Sequence, residues 1–125
     1  MTPYSLEITE KRGYLHARVT GDNTKENVMR YMDELARECN KARCRCVLVE
    51  EQLEGPRLDT MSVFDIATDG SEKSRAVFRA IAYVDVFAET SSMKNAESFA
   101  NNRGLNVRVF GNVAEAEKWL GEFAT

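Results

Sequence analysis

Val47 to Ser62 reads VLVEEQLEGPRLDTMS, and the reading of this stretch decides the rest. Together with Cys46 it opens on an unbroken apolar run, Cys46, Val47, Leu48 and Val49, as expected of a strand covered on both faces. Strands of that kind belong to parallel sheets flanked by helices. Gly55 and Pro56 then break regular structure, and Asp59 or Thr60 can cap a new helix. That helix carries Leu58, Met61, Phe64, Ile66 and Ala67, and TDGSEKS, residues 68–74, is expected to end or kink it.

The same alternation continues downstream. Ala80 to Val84 is a second apolar strand, closed by Asp85. Thr90, Ser91 or Ser92 opens a helix bearing Met93, Ala96, Phe99 and Ala100, and NNRG ends it with Gly104 as a left-handed cap. Val107, Val109 and Phe110 form the last strand. Asn112 caps the last helix, whose inward stripe is Val113, Ala116, Trp119, Leu120 and Phe123.

Upstream the period changes. Tyr4, Leu6 and Ile8 alternate with polar residues, as do Leu15, Ala17 and Val19 after the turn EKRG, which predicts a hairpin with one polar face. That face is either solvated or covered by a partner. Asn23 or Thr24 caps the first helix, and Val28, Met32, Leu35, Ala36 and Cys39 give it an apolar stripe to about Lys41. The order is ββαβαβαβα. It implies a single α/β domain over residues 1–125, with a mixed, mostly parallel five-stranded sheet packed by about four helices.

The totals agree with a chain of this class. At 125 residues, 43% apolar and 30% charged, it is long enough to bury a core without metal or disulfide support. A net charge of −3 argues against nucleic acid as a partner. No run approaches the roughly 18 apolar residues of a membrane span. The start, MTPYSLEITEKRGY, has no apolar signal core and reads as an untargeted cytoplasmic protein. The basic stretch RECNKARCR, with Arg37, Lys41, Arg43 and Arg45, fits the negative end of a helix dipole. Cys39, Cys44 and Cys46, spaced C-x4-C-x-C, match no zinc site and read as small buried hydrophobes. The chain lacks dinucleotide, Walker, nucleophile-elbow and zinc-protease motifs, so no cofactor is called for.

The closing stretch NRGLNVRVFGNVAEAEKWL, Asn102 to Leu120, is similar to the ending of the SpoIIAA-like family. VTGDNTKENV resembles that family's first strand-to-helix turn, and VLVEEQLEG its central strand and loop, so the likeness covers most of the chain from Gly13 onward. The resemblance implies the STAS fold of anti-sigma-factor antagonists, related to the CRAL-TRIO lipid carriers. It also implies a non-enzymatic domain that binds a protein partner or a small apolar or nucleotide-like ligand. True antagonists carry a phosphorylated Ser in a D-S-S-G-type turn. Here the region reads L-D-T-M-S-V, which puts Thr60 in the phosphoacceptor place after Asp59. Thr replaces Ser, Met61 replaces the next small residue, and no Gly follows.

Ligands of open parallel sheets bind beyond the carboxyl ends of the strands. Those ends carry Asp22, Glu50 with Glu51, Asp85, and Asn112. Asp22, Glu50 or Glu51, and Asp85 would be the ligands if the protein were instead a Mg²⁺-dependent enzyme. Acids and caps are also favoured at helix starts without any function, and no Lys follows a strand end to neutralise a phosphate. His16, the one histidine, lies on the polar face of the hairpin, away from any candidate nucleophile. The binding reading rests on Leu53, Leu58, Met61, Val63, Phe64 and Ile66, more apolar positions than one inward stripe needs. With Asp59 at the helix start they would line a ligand pocket or a partner surface. The competing reading buries that helix among Phe78, Phe87 and the third helix. A homodimer, through the hairpin or through this helix, is the remaining arrangement.

Overall fold

The fold is seen in a computed structural model that describes residues 4–74, 76–86, 88 and 90–123. Phe87, a predicted neighbour of the second helix, lies outside the described residues. Strands β1 (Ser5–Lys11) and β2 (Tyr14–Asp22) form the hairpin, followed by α1 (Lys25–Ala42) and β3 (Cys46–Glu54). Then come α2 (Thr60–Ser74), β4 (Ala80–Val84), α3 (Ser91–Asn102), β5 (Val107–Phe110) and α4 (Val113–Leu120). The five strands lie in the order β1-β2-β3-β4-β5, with β1 antiparallel to β2 and every later neighbour parallel.

Because β2 to β5 succeed one another in a single direction, crossovers of the usual right hand stack their helices on one face. That face carries the larger core, in which Val19, Leu35, Val47, Val49 and Ile81 are buried and residues of α2 and α3 pack alongside. The opposite face is covered by α4, whose Ala116 and Leu120 bury Leu48, Ala80 and Ala82. Since α4 packs mainly on β3, β4 and β5 and meets β2 at Tyr14, whose hydroxyl donates to Glu117, the polar side chains Ser5, Glu7 and Thr9 of the hairpin stay exposed.

Local chemistry sets most boundaries. Thr24 caps α1 by accepting the Asn27 N–H at 3.1 Å, Thr90 caps α3, and Asn112 caps α4 by accepting the Glu115 N–H at 2.9 Å. Gly104, at φ +91°, turns the chain out of α3, a conformation open to glycine at little cost. Cys39 and Cys46 are buried, and burial pushes the Cys39 thiol up to about 12, so it is inert.

The expected end of α2 comes late: the run TDGSEKS stays helical, and the helix stops only at its last residue, Ser74. Thr68 and Ser71 return their hydroxyls to the carbonyls of Phe64 and Ala67, at 2.9 and 2.6 Å, and Lys73 pairs with Asp69 and with Asp33 of α1. The apolar stripe of α1 also omits its most buried side chain: Tyr31 is 0% exposed.

Candidate functional site

α2 is the exception to the close packing of the larger core. It rests mainly on α3 and α1, and of its described side chains only that of Ser71 is fully buried. Between α2, α3 and the face of the sheet beneath them lies a cavity of about 140 Å³. Its walls are Val63, Ile66, Ala67 and Gly70 from α2, Met93, Ala96 and Ala100 from α3, and Ile81, Val107 and Val109 from the strands. Small residues face each other across it. Gly70 is the clearest case, since a Cβ there would meet nothing within 4 Å.

The floor of this apolar cavity is polar. Alternation along β3 puts Glu51 on the same face as Val47 and Val49, so its carboxyl points among the helices. Glu51 Oε2 is hydrogen-bonded to the hydroxyls of both Tyr31 and Tyr83, and those two oxygens lie 3.0 Å apart. Asp85, 7% exposed at the end of β4, makes a side-chain hydrogen bond to Glu51. Desolvation by the surrounding protein is the main cause that pushes the Glu51 carboxyl up to about 8, against the opposing effect of the tyrosine bonds. Burial likewise holds both tyrosine hydroxyls far above their ordinary range.

Glu51 Oε2, Tyr31 Oη and Tyr83 Oη form a triangle of oxygen–oxygen contacts. Both hydroxyls can donate to a Glu51 carboxylate, or one can donate to the other while Glu51, as a neutral acid, closes the ring.

The residues expected at a site are spread over several surroundings. Leu58 lines the cavity. Leu53 is partly buried against the larger core. Asp59 caps α2 by accepting the Ser62 N–H at 2.7 Å, which lowers its pKa. Met61 is 70% exposed and points away from the core, and Phe64, 40% exposed, packs on Phe99 with ring centres 4.3 Å apart. Thr60 is exposed at the first turn of α2, its hydroxyl 3.4 Å from that of Ser92 on the cavity rim.

Of the acids proposed for a cation, Glu50 faces the opposite side of the sheet and bonds His16 at 3.0 Å. Asp22 is exposed, and Asp85 lies on the cavity floor. Among the described residues no three His, Cys, Asp or Glu side chains are grouped to share a metal ion. A wider cleft of about 410 Å³ lies at the amino ends of the strands, between Lys11, Arg43, Arg45 and Arg79, all exposed. The cavity reaches the carboxyl ends of the strands, where open parallel sheets hold ligands, at Glu51 and Asp85.

The sequence reading missed Tyr31, Tyr83 and Glu51 as a unit. Glu51 was legible as a strand-end acid, but its face follows only from β-alternation counted through Val47 and Val49.

No protein-family model matches the chain, and no curated protein matches it. Among solved structures it is similar to an uncharacterized protein of the DUF3478 family with a SpoIIAA-like fold, from Shewanella loihica PV-4. The two share 17% sequence identity, the match covers 96% of this chain and 95% of that one, and the TM-score is 0.56. The fold of this chain is therefore SpoIIAA-like, an α/β sheet of five strands with four helices.

Proposed function

We propose that this domain is a non-catalytic binding module that takes a small, mostly apolar ligand into the cavity under α2. The observation that carries the reading is the cavity itself: apolar walls, a few convergent polar groups at one end, and a helix that does not fill the space beneath it. Natural interiors are close-packed, so a cavity of about 140 Å³ left between well-formed elements calls for an occupant. The binding residues are Leu58 and the facing walls of α2 and α3. Phe64 and Met61, on the outer side of α2, extend apolar surface beside them. The one histidine supports the non-catalytic part, because it is paired with Glu50 on the far side of the sheet.

Native mass spectrometry of gently purified protein tests this reading. Added mass that disappears in an Ala96→Phe variant of unchanged melting temperature is the expected result. Bare protein that also fails to take up apolar probes would refute it.

A further inference from the structure

The cleft at the amino ends of the strands has the reverse chemistry of the apolar cavity. At about 410 Å³ it falls within the size range of small-molecule sites. Lys11 reaches it from the end of β1, Arg43 from the C-cap of α1, and Arg45 and Arg79 from the residues just before β3 and β4. Arg45 and Arg79 are held side by side, because the Arg79 N–H donates to the Arg45 carbonyl at 2.6 Å where the two parallel strands begin. Arg45 Nε donates to the Val77 carbonyl at 3.4 Å, which leaves its terminal nitrogens for another acceptor.

Among the described residues none of these four cations ion-pairs with a carboxylate, whereas Lys25, Arg30, Lys41 and Lys73 each do. Glu10 is the one acid in the lining, so the cleft is positive on a chain whose net charge is −3. Arg43 is also the one non-glycine among the described residues at positive φ, 55°, a conformation that favours glycine at a helix end. The negative end of the α1 dipole, about half a unit charge, balances part of one cation and not four. Nucleic acid and membrane surfaces fit poorly, since the cations are confined to one concavity and Glu117 and Glu122, beside Tyr14 and Phe123, are exposed acids.

We propose that this cleft is a second binding site and that it takes a small organic phosphate. A phosphate monoester carries about 1.5 to 2 negative charges near neutral pH and three acceptor oxygens on one atom, so it meets guanidinium groups that arrive from several elements. A carboxylate offers one charge and two oxygens. The planar fork of arginine matches phosphate oxygens in pairs. Tyr14 and Phe123 give the organic body an apolar wall. The site stands apart from the apolar cavity, and either can be filled without the other.

Calorimetric titration of the full chain with phenyl phosphate, benzoate and hexaglutamate tests the assignment. Expected is one phenyl phosphate per chain, bound about tenfold or more tightly than either carboxylate probe. Arg43→Gln and Arg79→Gln, with melting temperatures checked, should each weaken it about tenfold or more through loss of a charge-assisted bond. Lys94→Gln removes the same charge from the exposed surface of α3, and Ala96→Phe fills the apolar cavity; both should leave the affinity unchanged. Absence of binding, or equal weakening by Lys94→Gln, overturns the site. Loss of binding in Ala96→Phe puts the phenyl phosphate in the apolar cavity and overturns the site too, while the apolar-cavity reading stands. Benzoate or hexaglutamate bound as tightly as phenyl phosphate overturns the phosphate assignment.

Discussion

Replacing Glu51 by Gln should remove a loss of stability that this protein otherwise suffers as pH rises. In the folded chain the Glu51 carboxyl is pushed from 4.5 up to about 8, with burial the leading cause. The sign follows from proton counts. Between those two values the folded state holds a proton on Glu51 that the unfolded state has lost, so raising the pH favours unfolding. The stabilisation is complete below the unfolded value, is lost progressively up to about 8, and changes no further above it. Each unit of pH across the window removes about 1.4 kcal/mol, and the full window amounts to something on the order of 5 kcal/mol. The Gln variant keeps the shape and offers an amide N–H where the acid offered O–H, but it does not titrate. Urea unfolding of both proteins from about pH 5 to about pH 7.5 should show the variant gaining on the wild type by about 3 kcal/mol. Because the comparison is a difference, the groups common to both proteins cancel. Parallel profiles for the two proteins would refute the argument, for they would mean that Glu51 is already ionised in the fold.

Further outcomes follow from the same floor and the helix above it. Tyr83→Phe should destabilise the protein by about 1–3 kcal/mol, because it removes the hydroxyl from a buried polar triangle, and chemical denaturation measures that directly. Gly70→Ala should stabilise α2 by up to about 1 kcal/mol in thermal unfolding, since the position is helical and an added Cβ has open space. Hydrogen exchange should find the α2 amides opening well before those of β3 and β4, whose side chains from Cys46 to Val49 and from Ala80 to Val84 are buried.

The parts of the fold that rest on local rules were legible in the sequence. The apolar run at Cys46–Val49, the alternation of the hairpin and the cap at Asn112 each depend on neighbours a few residues away, and each element formed where they placed it; the choices Asn23 or Thr24 and Thr90, Ser91 or Ser92 resolve to Thr24 and Thr90. The persistence of α2 through Gly70 was not legible, because it draws on side chains outside the segment, among them Asp33 of α1 for Lys73. The floor of the cavity failed for a related reason. Tyr31, Glu51 and Tyr83 are 20 and 32 residues apart in the chain, and only parallel pairing of β3 with β4 under α1 brings them together. The partner of His16 was hidden in the same way, since Glu50 reaches it only across the β2–β3 pair. The predicted apolar excess around Leu58 and Phe64 was legible as a pattern. Which of those side chains line a space and which face solvent depends on where α2 rests.

The most direct measurement is titration of the protein with a single-ring, polarity-sensitive fluorescent dye, 4-(dimethylamino)benzonitrile, for wild type and for Ala96→Phe. The account predicts saturable enhancement at one site per chain in the wild type. It predicts loss of that signal in the variant, in which an aromatic ring occupies the space between α2 and α3. Equal dye binding by both proteins, or none by either, would contradict the claim that this cavity is the site where the domain holds its ligand.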